Sequence, residues 1–252
     1  MNQQQFQTAC QSLQQRRQDP NSIGTLGEKS LHWVLKHYLQ PNPANHETAI
    51  GPYVADIFDE RGVLEIQTRN FDQLRQKLDF YLPQYPVTVV YPIAARKRLL
   101  WLDETTGHIS SKRLSPKRGS IHEVFPELYR IKGWLQHPNL HVLLVCLELE
   151  EYRYLNGWGR GGKRGSSRAD RIPVQLVEEV FLQNPWDFAL FLPESLPEQF
   201  TSEDYRIAAK LSLRLAQIGL NILYHMGAVV RCGRQGRSYL YARTDNWRKD
   251  SM

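Results

Sequence analysis

The segment VADIFDERGVLEIQTRNF, residues 54–71, limits the fold more than any other part of the chain. Two short apolar-rich runs flank Asp59-Glu60-Arg61-Gly62, a polar tetrapeptide ending in glycine, and read as a hairpin. Asn70 then opens a helix, NFDQLRQKLDFYL, and the Val-rich YPVTVVYPI follows as a buried strand. Polar groups nevertheless stand inside these runs: Asp56 in the first strand, Glu65 and Gln67 in the second. Side chains two apart on a strand share a face, so Glu65 and Gln67 point one way while Leu64 and Ile66 point to the opposite layer. Asp56, on the neighbouring strand, is expected within reach of that face. Two convergent carboxylates repel unless a cation lies between them. Mg²⁺ suits such a pair, because it takes oxygen ligands from one or two carboxylates, water and substrate phosphate. It would lower the pKa of a bound water and polarise the phosphate. Gln67 could orient the nucleophile or a phosphoryl oxygen by hydrogen bond, without a positive charge. The plainer alternative is a solvated hairpin whose polar face meets water, which antiparallel strands commonly show.

Other elements frame this hairpin. Residues 3–18 read as a helix with Phe6, Cys10 and Leu13 on one side. A second helix carries Leu31, Val34, Leu35 and Tyr38 as its stripe and ends before Pro41. Thr25 could cap it, with Glu28 as the partner of a capping box. HETAIGPYVADIFDE supplies strands before the turn, and IHEVFPELYRIKGWLQHP contains an amphipathic helix. LHVLLVCLELEEYRYL is the strongest strand.

The order of helix, strands, helix and strand, with Glu28, Asp56 and Glu65-Ile66-Gln67 on successive elements, resembles the PD-(D/E)XK nuclease superfamily over roughly residues 20–95. The resemblance implies an α/β (α+β) nuclease-like core, a central mixed sheet flanked by helices. It implies Glu28, Asp56, Glu65 and Gln67 as catalytic residues, with Asp56 and Glu65 holding Mg²⁺ or Mn²⁺. Two features depart from the pattern: Ala55 precedes Asp56 where a Pro-Asp pair is usual, and Gln67 stands where Lys is usual. Some members of the superfamily carry Gln there and remain active, while others have become binding proteins.

The composition shifts at GWGRGGKRGSSRADR, residues 157–171, which holds five Gly and five Arg or Lys. It is the expected boundary, a basic linker or loop between a nuclease-like domain at 1–156 and a second domain at 172–252. IPVQLVEEVFLQ, PWDFALFLP, TSEDYRIAAKLS and SLRLAQIGLNILYHMG read as short helices, with Thr201 or Ser202 as a cap. AVVRCGRQGRSYLYART reads as a hairpin with a basic tip. The last helices and this hairpin resemble a mainly α winged helix-turn-helix, with Ile207, Ala208, Leu211, Leu215, Ile218, Ile222 and Leu223 as core. The resemblance puts Arg214 and Gln217 where such modules read the major groove, and Arg231, Arg234 and Arg237 around the wing tip against phosphate. Winged helices also serve as dimerisation or docking modules. Lys117 and Arg118, in a basic run with Lys112 and Arg113, and Arg160, Lys163 and Arg164 in the Gly-rich segment are further candidates for the backbone of nucleic acid.

The bulk properties fit this reading. A net charge of +6 and a pI near 9.2 favour an acidic partner. The three cysteines show no CxxC spacing, which argues against a zinc knuckle or redox pair. The Gln-rich N-terminus lacks an apolar signal core, so a reducing, cytoplasmic setting is expected. No P-loop, HExxH or Ser-His-Asp signature is present, and the histidines, His32 included, read as ordinary. Trp33, Trp101, Trp134 and Trp186 read as core. The expectation is a metal-dependent nuclease acting on nucleic acid, DNA before RNA, possible as a homodimer. The alternative is a non-catalytic DNA-binding or adaptor protein on an eroded nuclease fold.

Overall fold

The computed structural model describes residues 1–18, 29–103, 108–158 and 164–244. It is a mixed α+β fold with a large central sheet flanked by helices. In chain order the elements are α1 (Gln3–Gln18), α2 (Ser30–Leu39), β1 (His46–Ile50), β2 (Tyr53–Asp59), β3 (Gly62–Ile66), α3 (Arg75–Tyr81), β4 (Val87–Leu102), β5 (Ile109–Leu114), α4 (Phe125–Arg130), β6 (Leu140–Trp158) and β7 (Arg164–Leu182). They continue with β8 (Gln199–Phe200), α5 (Ser202–Ala208), α6 (Leu213–His225), β9 (Val229–Gln235) and β10 (Ser238–Arg243). Seven strands share one sheet in the order β1-β2-β3-β4-β6-β7, with β5 paired to β4, and β8-β10-β9 form a second.

The chain groups into two compact units, each assembled from three segments: 1–59, 92–120 and 145–179 form the first, and 60–91, 121–144 and 180–252 the second. A single cut between 156 and 172 therefore does not separate them. Residues 164–171, expected in a linker, are the start of β7, and 157–158 are the end of β6. Residues 159–163 lie outside the described residues. The run IPVQLVEEVFLQ, expected as a helix, is the rest of β7.

In the first unit, α1 lies on α2 through an edge-on pair of Phe6 and Tyr38 with centroids 5.4 Å apart. Leu31, Val34 and Leu35, the stripe expected from spacing, are buried. β1 and β2 form an antiparallel hairpin in the register His46↔Ile57 to Ile50↔Tyr53. Along β2, Ala55 and Ile57 are fully buried while Val54 is 52% exposed, the alternation of a strand with one covered face. α2 begins at Ser30 after Lys29, with no side-chain cap; the expected cap at Thr25 lies outside the described residues.

In the second unit, β3 and β4 are parallel, Val63↔Val87 to Ile66↔Val90, and α3 crosses between them. All five residues of β3 are buried, so its polar member does not face solvent as a solvated hairpin requires. Gly62 takes φ +97°, a left-handed conformation that side chains rarely adopt, as the chain enters β3. Farther along, Thr201 caps α5 in a capping box with Asp204, and Ser212 caps α6. Between those helices Lys210 turns the chain at φ 55°. Phe125, Phe191, Tyr205, Leu220 and Leu223 form the core here. Ile207, expected in that core, is 60% exposed, and the neighbouring Tyr205 is buried in its place. Trp186 is likewise 54% exposed rather than core. PWDFALFLP forms a 3-10 turn, Pro185–Phe191, rather than an α-helix.

Gly219 is the closest approach in this core. A Cβ there would lie 2.5 Å from Cε2 and 2.8 Å from Cδ2 of Phe125, which already packs on Phe191 at 4.6 Å. Helix propensity alone makes Gly→Ala stabilising by about 1 kcal/mol, but overpacking costs roughly 1–3 kcal/mol. Gly219→Ala is expected to lower the urea midpoint, a net loss of up to about 2 kcal/mol; a raised midpoint would show that Phe125 can yield.

Candidate functional site

Glu65 sits in the middle of β3 and is 2% exposed. Both its carboxylate oxygens accept from the Lys77 ammonium, at 2.8 and 2.9 Å. Lys77 comes from α3, and the reason is the crossover. Leu74, Leu78 and Tyr81 are the buried stripe of this helical stretch, and Lys77 falls at the i+3 position within it. A lysine at a position that faces the sheet must bring its charge to a partner or leave it uncompensated. The parallel strand beneath supplies Glu65. Gln67, one residue beyond β3, donates its backbone N–H to the Val90 carbonyl at 2.9 Å, and its side chain is half-buried.

Asp56, in the first unit, stands on β2 opposite in direction to the buried Ala55 and Ile57. Its Oδ2 lies 3.2 Å from Nε2 of His32 on α2, with the two side chains 22% and 25% exposed. His32 is thus a carboxylate partner, not the ordinary histidine that the sequence suggests. Glu28 lies outside the described residues. Asp56 and Glu65 each offer the hard oxygen donors that Mg²⁺ takes, and Mg²⁺ commonly needs only one or two carboxylates beside water and phosphate. Among the described residues no group of three or more His, Cys, Asp or Glu is gathered as a metal site.

The basic candidates divide into paired and unpaired cations. On the outer parts of β4, β5, β6 and β7, the cations mostly meet carboxylates. Lys112 pairs with Glu150 at 2.7 Å and Arg96 with Glu148 at 3.5 Å. Glu151, 1% exposed, collects Arg153 at 2.6 Å, Lys97 at 3.4 Å and Arg168 at 3.7 Å. Burial pushes the Glu151 carboxyl up, but the Arg153 hydrogen bond and the charges of Lys97, Arg153 and Arg168 outweigh it and hold the pKa below its ordinary value. Lys117 and Arg118 are exposed in the loop after β5. Arg164 is the first residue of β7, while Arg160 and Lys163 lie outside the described residues.

The second unit differs. Arg214 and Gln217 are exposed on the first turns of α6, and Arg231, Arg234 and Arg237 are exposed on β9 and the turn into β10. Among the described residues no carboxylate forms an ion pair with Arg214, Arg231, Arg234 or Arg237. Two of them rest on aromatic rings instead. Arg231 Cζ lies 4.4 Å from the Tyr224 ring centroid and 4.0 Å from that of Tyr239, and Arg234 Cζ lies 4.9 Å from Tyr239. Cation–π contact orders a guanidinium while leaving its charge intact.

Lys77→Ala removes the partner of a buried carboxylate. A fully buried pair broken in this way costs about 3–5 kcal/mol, and the 24% exposure of Lys77 reduces the expected loss to about 2–3 kcal/mol. Glu65→Gln should cost less, since the freed ammonium can turn to water; equal losses in thermal melts would show that the pair acts as packing alone. The Glu151 network has a pH signature. Its carboxyl is depressed from an ordinary 4.5, so its stabilisation is complete above that value and disappears as pH falls through the folded pKa. Melts of wild type and Glu151→Gln should differ at pH 7 and converge in acid as the pH falls through the depressed folded pKa.

The family model described as a domain of unknown function (DUF8091) matches residues 29–183, which span α2 to β7 and contain Asp56, Glu65, Gln67, Lys77 and Glu151. A protein of Treponema pallidum (strain Nichols), described as an uncharacterized protein, is 28% identical over 222 residues, 87% of this chain and 87% of that protein. No solved structure matches significantly. With well over half of its length matched, the chain belongs to the DUF8091 family.

Proposed function

We propose that this protein is a metal-dependent nuclease that hydrolyses phosphodiester bonds in nucleic acid, DNA before RNA, and that β8, α5, α6, β9 and β10 act as a winged helix that holds the substrate. The observation that carries the hydrolytic reading is the ammonium of Lys77 on Glu65. The nuclease pattern calls for a carboxylate followed two residues later by lysine, and Gln67 leaves that charge missing. Lys77 delivers a cation to the same carboxylate from the following helix. The order α2, β1, β2, β3, α3 and a parallel β4 also agrees with the order that the resemblance implies.

In this reading Asp56 and Glu65 are the carboxylates for Mg²⁺ or Mn²⁺, which when bound would acidify water and polarise a phosphoryl oxygen. Lys77 donates to the charge that develops on the phosphoryl oxygens. His32 positions Asp56 through its 3.2 Å contact. Gln67 orients the attacking water or the phosphate by hydrogen bond. Unpaired Arg214, Arg231, Arg234 and Arg237 meet the phosphate backbone, where cations not already neutralised contribute most. A second reading, a nucleic-acid-binding protein without hydrolysis, is favoured by one observation: both oxygens of Glu65 are already occupied by Lys77.

One set of measurements separates the two. Labelled single-stranded, duplex and branched DNA, and RNA, are incubated with Mg²⁺, Mn²⁺ or EDTA. Hydrolysis predicts cleavage that needs metal, disappears in Asp56→Ala and falls strongly in Lys77→Met, with metal-free binding intact in both. Binding without cleavage on every substrate supports the second reading. In either case Arg234→Ala and Arg237→Ala should each weaken binding and lower the slope of log affinity against log salt by about 1. Affinity indifferent to salt would sink both readings.

A further inference from the structure

The aromatic and guanidinium groups of α6, β9 and β10 form a continuous run of contacts: Tyr224 to Arg231 at 4.4 Å, Arg231 to Tyr239 at 4.0 Å, and Tyr239 to Arg234 at 4.9 Å. Tyr241 adjoins the run, 6.0 Å from Arg231 and 6.4 Å from Tyr239 between centroids. A hydrogen bond from Arg234 to the Tyr239 hydroxyl at 3.4 Å fixes the outer end. Tyr224 and Tyr239 are 44% and 40% exposed. Phosphate contact alone does not explain this arrangement. Cation–π contact orders a guanidinium for backbone oxygens, but that role does not call for two tyrosine rings left 44% and 40% exposed. A planar guanidinium and a tyrosine ring share one further property: each stacks on the face of a nucleobase.

We propose that this run is a stacking platform for unpaired bases, so that the preferred ligand of the second unit is single-stranded nucleic acid or the single-stranded end of a duplex. The inference rests on the nucleic-acid reading above and names its substrate class. A base laid on the run would extend an alternation of π faces and planar cations already in place. Arg237, at the turn after Gly236, and Arg214, on α6, remain for the phosphates on either side. Paired bases in a duplex hide their faces and can use only the charges.

The test uses the full chain, a single-stranded oligonucleotide carrying one 2-aminopurine, and a blunt duplex of the same length, at one salt concentration without divalent metal. The single strand is expected to bind at least about tenfold tighter than the duplex and to quench the 2-aminopurine on binding, as stacking does. Arg234→Lys keeps the charge and removes the plane. It should cost the single strand about tenfold and reduce the quench, while costing the duplex, which meets the charge alone, several-fold less. Tyr239→Leu should do the same, and the exposure of both positions keeps folding a small concern. Equal affinity for the two ligands, with quench and affinity untouched by Arg234→Lys, overturns the platform while leaving charge-driven binding in place. Absence of binding to either ligand overturns the nucleic-acid reading, and the platform with it.

Discussion

Parallel pairing of β3 with β4 is the constraint on which the second unit's polar interior depends. Parallel neighbours cannot be joined by a tight turn, so the intervening chain must cross over the sheet. The crossover contains α3, whose helical stretch turns Leu74, Leu78 and Tyr81 inward. Helical spacing carries Lys77 to the same side. Its side chain is only 24% exposed, and its ammonium meets the carboxylate beneath it. Glu65 is therefore as much a requirement of α3 as of β3. The same geometry explains why β3 is buried along its whole length although it carries Glu65 within it.

The sequence disclosed the elements around this pair better than it disclosed the pair. The hairpin turn at 59–62, the helix after Asn70 and the Val-rich strand all follow from turn chemistry and apolar spacing, which act locally. Lys77 was missed because it reads as a solvated lysine until the direction of the crossover is known. His32 was missed for a similar reason: its partner Asp56 lies on another element, and no spacing rule links them. The second part of β7, from residue 172 on, imitates a helix for a different cause. Pro173 and Leu176 are buried while Val174 and Val177 are 49% and 43% exposed, a spacing of three that imitates a helix. β7 is the last strand in the sheet order, and α1 reaches it through Gln3 and Cys10, which meet the carbonyls of Leu176 and Pro173. Local periodicity loses its meaning where helix contacts, rather than pleat alone, decide what is covered.

The C-terminal elements show the converse. Thr201 with Asp204 and Ser212 act as caps where capping chemistry places them, and the hairpin turns at Gly236. Ile207 leaves the core because α5 has only seven residues, too short for its stripe to be set by period alone, and Tyr205 fills the buried position. The aromatic setting of Arg231 could be glimpsed in sequence as Tyr239 and Tyr241 on the strand opposite it, but Tyr224 joins from α6 and needs the fold.

The protein holds its cations in two physically different ways, and the difference bears on where a polyanion can be gripped. Lys97, Arg153 and Arg168 are anchored by a buried carboxylate, which orders them at the expense of one unit of their charge. Arg231 and Arg234 are anchored by tyrosine rings, which order them and subtract nothing. Net charge alone, +6 for the whole chain, does not distinguish these surfaces. Screening does: at physiological salt the field of a charge fades over about 8 Å, so a ligand responds to the local balance and not to the sum. Among the described residues no carboxylate forms an ion pair with Arg231 or Arg234, and these cations are already held in place before a ligand arrives. Less ordering entropy then remains to be lost on binding.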